Sequence, residues 1–401
     1  MPEAVIVSAV LSPNGRAYKG SLAGVRADDL AAQVVRLALE RVPALDPATL
    51  DDLVLGCAQP AGEQGYNLGR QVAMQLGYDM VPGTTVNRYC ASSLQAIRMA
   101  FHAIKAGEGH AFVATGVEVV SHYPAGKADG MPDTRNPRFD GIAGSRPGSS
   151  PWSDPRSRGE LPDVYIAMGE TAENVAELCG ITRGEQDEFA VRSQNNAEKA
   201  LADGFWDRDI TPVTLPDGSV VSTDDGPRAG VTLEAVSALK PVFRPDGTVT
   251  AGNCCPLNDG AAAVVIMSDT KAAELGLTPL ARIVSTGVTA LSPEIMGLGP
   301  VEASRQALAR AGMTIGDIDL VEINEAFAAQ VVPSARELGI DIDRLNVNGG
   351  GIAVGHPFGM TGARITSTLV NSLQFHDKQL GLETMCVGGG QGMAMVLERL
   401  S

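Results

Sequence analysis

One strand-and-helix pattern occurs twice in this chain, and that duplication constrains the fold more than any other feature. DDLVLGC at 51–57 parallels DIDLVEIN at 317–324, TTVNRYC at 84–90 parallels RLNVNGG at 344–350, and HAFVATGVE at 110–118 parallels LETMCVGGG at 382–390. The first round reads as strand VIVSAV, an amphipathic helix over 28–41, strand LVLGC, a helix over 68–76, strand TTVN, a helix after Cys90 and strand AFVATG, and a second round starts near Leu280. This alternation predicts an α/β protein whose sheet is covered by helices. Equivalent turns of the two halves then converge, setting Cys90 opposite His356 and Cys386.

The 401 residues suffice for two or three units with substantial cores. Between the two rounds lies a segment of different composition, roughly 120–249. It contains PDTRNPRFDGIAGSRPGSSPWSDPRSRG, rich in Pro, Gly, Ser and Arg, followed by helical patterns over 168–203. A long irregular excursion in a compact protein is usually a lid or a binding loop.

Charged residues make up only 19% of the chain and no polar low-complexity block occurs, so folding is expected throughout. The formal net charge of −16 argues against nucleic acid as a partner, because phosphate binding needs a basic face. Any anionic ligand must therefore rely on local cations. MPEAVIVSAV lacks the basic start of a secretion signal, and no apolar run reaches the roughly 18 residues of a membrane span. Six cysteines without a CxxC pair point to neither a zinc site nor a disulfide scaffold, and adjacent Cys254 and Cys255 read as packing residues. A reducing cytoplasm is the expected setting. The glycine runs at 349–351 and 388–390 do not follow the GxGxxG pattern and imply no dinucleotide.

Cys90 follows a β-prone stretch and precedes an apolar pattern (Leu94, Ile97, Ile104) with helical spacing. A thiol at a helix N-terminus meets unpaired backbone N–H groups and the positive end of the macrodipole, which favour thiolate. Cys90 is thus the candidate nucleophile, and it needs a base. Of the five histidines only His356 is followed by proline and bracketed by glycines, in GHPFGMTGAR, a setting that aims a side chain into a cleft. Cys57, Cys179 and the histidines at 102, 110, 122 and 376 read as ordinary structural residues.

These motifs, together with ATGVEVVS, MGETAENVA, TAGNCCPLNDGAAAV, EINEAFA and CVGGGQGMAMV, resemble the thiolases, the family of acetyl-CoA acetyltransferases and 3-ketoacyl-CoA thiolases, nearly from end to end. The resemblance implies a duplicated α/β core of two similar halves, with helices sandwiched between mixed sheets, and an inserted loop domain. It divides the chain into a core half over 1–119 completed by about 250–275, a CoA-binding loop domain over 120–249 and a second core half over 276–401. It also implies reversible acyl transfer through an acyl-cysteine at Cys90, activated by His356, with Cys386 moving the substrate α-proton. The thiolysis of 3-ketoacyl-CoA to acetyl-CoA and a shortened acyl-CoA, as in fatty-acid β-oxidation, and the reverse Claisen condensation are both implied. Asn324 is then expected to order a water that shares one oxyanion hole with His356, and the backbone N–H groups of Cys90 and Gly388 to form a second. Two developing oxyanions do require separate preorganised donors.

The same resemblance sets Arg228 near the CoA nucleotide and Phe243 on the pantetheine path, with Met168, Cys255 and Phe327 as further contacts. Coenzyme A is implied as substrate, with no tightly bound cofactor and no metal, in a homo-oligomer, dimer or tetramer. Two positions depart from the family: Cys255 stands where serine is frequent, and Ala167 where short-chain members commonly carry histidine. With Met168, Phe358 and Met360 as apolar neighbours, the second departure leans towards a degradative enzyme of wider acyl range. The alternatives are a short-chain acetoacetyl-CoA-specific acetyltransferase and a non-catalytic acyl-CoA-binding scaffold. A decarboxylating relative with a Cys-His-His or Cys-His-Asn site is disfavoured by Cys386.

Overall fold

The computed structural model describes residues 2–124, 127, 131, 133–139 and 152–401, so part of the Pro/Gly-rich stretch, 140–151, lies outside the described residues. The first round comprises β1 (Ala4–Leu11), a short β2 (Gly15–Arg16), α1 (Ala27–Glu40), β3 (Asp52–Gly56), α2 (Leu68–Gln75), β4 (Gly83–Val86), α3 (Ser92–Ala106) and β5 (Ala111–Val119). The intervening segment carries α4 (Met168–Leu178), α5 (Arg183–Ala202), α6 (Phe205–Asp209), a small hairpin of β6 (Val213–Thr214) and β7 (Val220–Val221), and α7 (Leu233–Ser237). The chain returns to the core as β8 (Asn258–Ser268) and α8 (Asp269–Glu274). The second round is β9 (Ala281–Ala290), α9 (Gly299–Ala311), β10 (Leu320–Ile323), α10 (Ala328–Leu338), a short α11 (Gly351–Val354), α12 (Thr361–Phe375), β11 (Leu380–Val387) and β12 (Gln391–Arg399).

The duplication is visible in the strand order, β10-β11-β12-β9-β1-β8-β5-β3-β4. Each half has a parallel pair followed inward by two antiparallel pairings, β3/β5, β5/β8 and β8/β1 in one and β10/β11, β11/β12 and β12/β9 in the other, with β4 added parallel to β3 at the outer edge of the first. The halves join where β1 pairs with β9 over only two residues, Val5 with Arg282 and Ile6 with Ala281. The hydrogen-bonded path is therefore continuous.

Strand periodicity distributes the core. In β8, Ala262, Val264 and Ile266 face one apolar cluster with Leu94 and Ile97 of α3 and Ile365 and Leu369 of α12. The alternate residues Ala261, Ala263 and Val265 face a second cluster under α1. A third lies beneath α9 and α10, with Ala394 and Val396 of β12. All of β8 is buried, as expected for a central strand covered on both faces. Helix α12 packs on strands of both halves and on α3, so this pair is the enclosed helical layer that the family resemblance implies.

One predicted parallel is incomplete. Residues 344–350 should match β4, yet pairing stops after the single bridge Val321–Leu345. Asn346 turns the chain, at φ 44°. Its side chain takes over the ladder, accepting from the Ile323 N–H and donating to the Ile323 carbonyl, both at 2.9 Å. A side-chain amide thus replaces one step of strand pairing.

Candidate active site

Cys90 sits in a tight turn between β4 and α3. The preceding residue, Tyr89, has φ 44°, a left-handed conformation that costs a bulky residue roughly 1–3 kcal/mol. Local bonds hold it: the Asn87 side chain accepts from the Tyr89 N–H at 2.8 Å, and Ser92 Oγ accepts from the Arg88 N–H at 2.9 Å and donates to the Tyr89 carbonyl at 2.6 Å. One residue further on, Ser93 Oγ donates to the Met360 carbonyl at 3.0 Å and accepts from the Ala363 N–H at 2.8 Å. The first turns of α3 and α12 are stitched together in this way. Gly362 makes the approach feasible, since a Cβ there would lie 2.3 Å from the Leu94 nitrogen.

The second cysteine lies at the end of β11, fully buried, just before a glycine turn. The Gly388 N–H of that turn faces the Cys90 sulfur, as does the N–H of Cys90 itself. A polar tether fixes the two turns: Arg88 Nη1 donates to Gln391 Oε1 at 2.6 Å, and Gln391 Nε2 donates to the Gly388 carbonyl at 3.2 Å. Cys386 and Cys255 both lie within electrostatic reach of Cys90, and all six cysteines are free.

His356 is 1% exposed and held on three sides. Its N–H donates to Asn258 Oδ1 at 3.0 Å, and its Nδ1 lies 2.6 Å from Thr361 Oγ1, whose own proton goes to the Pro357 carbonyl at 2.7 Å. The threonine oxygen must then accept, so Nδ1 carries the ring proton and Nε2 carries the lone pair. Asn324 Nδ2 lies 3.3 Å from that Nε2. Asn324 Oδ1 is buried without a partner, a free acceptor beside the base. Gly355 is required here, with φ 109° and the Asn258 side chain 2.7 Å from where a Cβ would stand. Among the described residues no hydrogen bond links Cys90 to His356; the α3–α12 junction and Glu118 tie together the segments that carry them.

Glu118, on β5, accepts from Gln64 Nε2 at 2.7 Å and from the N–H groups of Ala58 and Gly359 at 2.9 Å, pinning the loop that carries His356. Its charge also reaches Cys90. Burial first, and Glu118 second, push the Cys90 thiol up to about 12, more than the two N–H groups facing it offset. Burial and the neighbouring Glu118 thus act against the thiolate that the helix terminus is expected to favour. His356 is driven the other way, down to about 3, by burial and then by the buried Arg364 guanidinium. At rest the proton belongs on sulfur and the imidazole is neutral.

Cys386 shares an apolar cluster with Phe327, Met296 and the partly buried Met168 and Cys255. The Cys255 N–H donates to the Ala326 carbonyl at 3.0 Å and Cys254 bridges to Phe327, which fixes this wall. Phe243, 38% exposed, meets Phe327 edge-on at 6.2 Å and lies against Gly169, beside Met168. Arg228 is exposed, and among the described residues its guanidinium has no partner; only its N–H is held, by Gln194 at 3.1 Å. Met360 does not join the wall: it is fully buried in the core between the halves. Glu118, Thr361, Asn258 and Gln391 escape sequence reasoning, although all four lie inside the family motifs ATGVEVVS, GHPFGMTGAR, TAGNCCPLNDGAAAV and CVGGGQGMAMV. Among the described residues no helix is long and apolar enough to cross a membrane.

Comparison with known proteins agrees with this architecture. The thiolase N-terminal domain family matches residues 4–270 and the thiolase C-terminal domain family residues 277–399. A β-ketoadipyl-CoA thiolase of Acinetobacter baylyi is 44% identical over the full length of both chains, and an acetyl-CoA acetyltransferase of Cupriavidus necator 45% identical over the full length of both. The crystal structure of a Bacillus anthracis acetyl-CoA acetyltransferase, 40% identical, superposes with a TM-score of 0.87 over 100% of this chain and 99% of that one. With both family domains matched and full-length relatives above 40% identity, the chain belongs to the thiolase family and is an enzyme of CoA-dependent acyl transfer.

Proposed function

We propose that the chain cleaves 3-ketoacyl-CoA thioesters by thiolysis through an acyl-Cys90 intermediate, and runs the reverse condensation when acetyl-CoA is abundant. The observation that carries this reading is the convergence of two backbone N–H groups on the Cys90 sulfur with a second buried thiol beside it. In the cleavage direction Cys90 gives its proton to His356 Nε2 as sulfur attacks the 3-keto carbon. The C2–C3 bond then breaks and the departing enolate of acetyl-CoA takes a proton from Cys386; CoA thiol gives its proton to the Cys386 thiolate as its sulfur attacks the acyl-cysteine, the shortened acyl-CoA leaves, and Cys90 recovers its proton from His356. A thiol pushed up and an imidazole pushed down by burial favour proton transfer in step with bond formation.

The N–H groups of Cys90 and Gly388 suit one oxyanion. The lone acceptor Asn324 Oδ1 suits a water that donates one proton to it and the other to a second oxyanion next to His356. The 120–249 segment supplies the CoA path in this reading: unpaired Arg228 for phosphate and half-exposed Phe243 for pantetheine. The free edge of β4, flanked by exposed Tyr66 and Met80, favours a homo-oligomer, and six free cysteines fit a reducing cytoplasm.

On substrate, the relatives are named for both β-ketoadipyl-CoA thiolysis and acetyl-CoA acetyl transfer. The apolar wall of Met168, Phe327 and Met296, with Ala167 at the head of α4, favours acyl chains longer than acetoacetyl. Each buried methylene contributes about 0.8 kcal/mol, so kcat/KM should rise several-fold from four- to six- or eight-carbon 3-ketoacyl-CoA. Thiolysis followed by loss of the enolate absorbance tests this. Activity highest with acetoacetyl-CoA and falling with every added pair of carbons would assign a short-chain acetyltransferase instead.

A further inference from the structure

A basic groove lies beside α3, away from the Cys386 wall. It is lined by Arg98, Phe101 and His102 of α3, Val284, Ser285 and Thr286 of β9, and Arg310 at the end of α9, and has a volume of about 230 Å³. None of the residues lining it is acidic, in a chain whose formal net charge is −16. Arg310 makes a single hydrogen bond, from Nη1 to the Thr286 carbonyl at 2.7 Å, and among the described residues the Arg98 side chain has no partner at all, its Nε being fully shielded from solvent. Several other arginines are used up, Arg244 pairing with Glu170, Arg183 with Asp187 and Arg41 with the Ala9 carbonyl, while Arg192 Nη1, Arg282 Nε and Arg364 Nε are likewise buried without a partner among the described residues. An orphaned buried donor is destabilising, and an incoming anion oxygen would satisfy it.

We propose that this groove binds a small phosphate-class anion between Arg98 and Arg310, with His102 as a further donor. The mutual repulsion of the groove's cations supports it. Arg98 is shifted down by burial and then by the charges of Arg88 and Arg310, and His102 by burial and then by Arg98 and Arg310, so each cation there lacks a counter-charge. The groove is also wired to the catalytic turn. Arg88 donates to Gln95 at 3.0 Å, one turn before Arg98 on α3, and through Gln391 it holds the carbonyl of Gly388, whose N–H faces Cys90. A bound anion relieves the repulsion between Arg98 and Arg88 along that line.

The test is calorimetric titration of the full chain with pyrophosphate at physiological ionic strength. Saturable one-to-one binding is expected, unaffected by saturating CoA or by Arg228→Gln, and weakened about tenfold or more in Arg98→Gln and in Arg310→Gln. Pyrophosphate should also protect the Arg310 peptide of the native chain from phenylglyoxal, a measurement that stands even if Arg98→Gln fails to fold. The proposal is overturned by absence of saturable binding at millimolar pyrophosphate, by unchanged affinity in Arg310→Gln, or by displacement with CoA together with loss in Arg228→Gln, which would place the anion in the CoA path.

Discussion

Thr361 should set the tautomer of His356, and removing its hydroxyl should slow acylation without unfolding the protein. In Thr361→Val the shape is nearly kept, but the Nδ1–H at 2.6 Å loses its acceptor in a site 1% exposed to solvent. Leaving a buried donor unsatisfied costs about 1–3 kcal/mol. The ring escapes that cost by moving its proton to Nε2, where it can no longer receive the Cys90 proton. Either way the base is weakened by that amount, roughly a 5- to 150-fold fall in the acylation rate. The assay is single-turnover acetylation of Cys90 by acetyl-CoA, quenched and read by mass spectrometry. KM for acetyl-CoA should change little, because Thr361 is remote from the apolar wall, and Thr361→Ser should restore most of the rate. Acylation at wild-type speed in Thr361→Val would refute the tautomer assignment.

Cys386→Ala should leave Cys90 acylation intact while thiolysis and condensation collapse, checked by comparing adduct formation with turnover; equal loss of both half-reactions would merge the two roles. Glu322 is buried and held at about 8, so its contribution to stability is fully present below the ordinary carboxylate range and is lost as pH rises through 8. Glu322→Gln should therefore show a smaller fall in urea midpoint between pH 5 and 8 than the native chain. His356 works in the opposite window, since a histidine held at about 3 makes stability fall as pH drops from about 6.5 towards 3.

Much of this molecule is readable from pattern, and the failures share a cause. Strands β3 and β5 and their counterparts β10 and β11 announce themselves because short, nearly continuous apolar runs flanked by turn residues are local signals. The missing counterpart of β4 is different: Asn346 replaces backbone pairing with its own amide, which becomes visible only when Ile323 is known to lie beside it. Cys90 and His356 stand out by their glycine- and proline-marked turns. Their protonation does not, because burial and the charge of Glu118, 28 residues along the chain, act through space. Met360 illustrates the same limit. Its motif position suggests a pocket wall, yet the closeness of α3 to α12 puts it in the core. Thr361 and Gln391 act by orienting other groups, so residue type alone carries no mark of their roles.

The most direct measurement is peptide mapping of the chain after brief exposure to acetyl-CoA. The account predicts one acetyl group, on the peptide holding Cys90, present in Cys386→Ala and absent in Cys90→Ser. An acetyl group on the Cys386 or Cys255 peptide, or none on Cys90 while thiolysis proceeds, would contradict it.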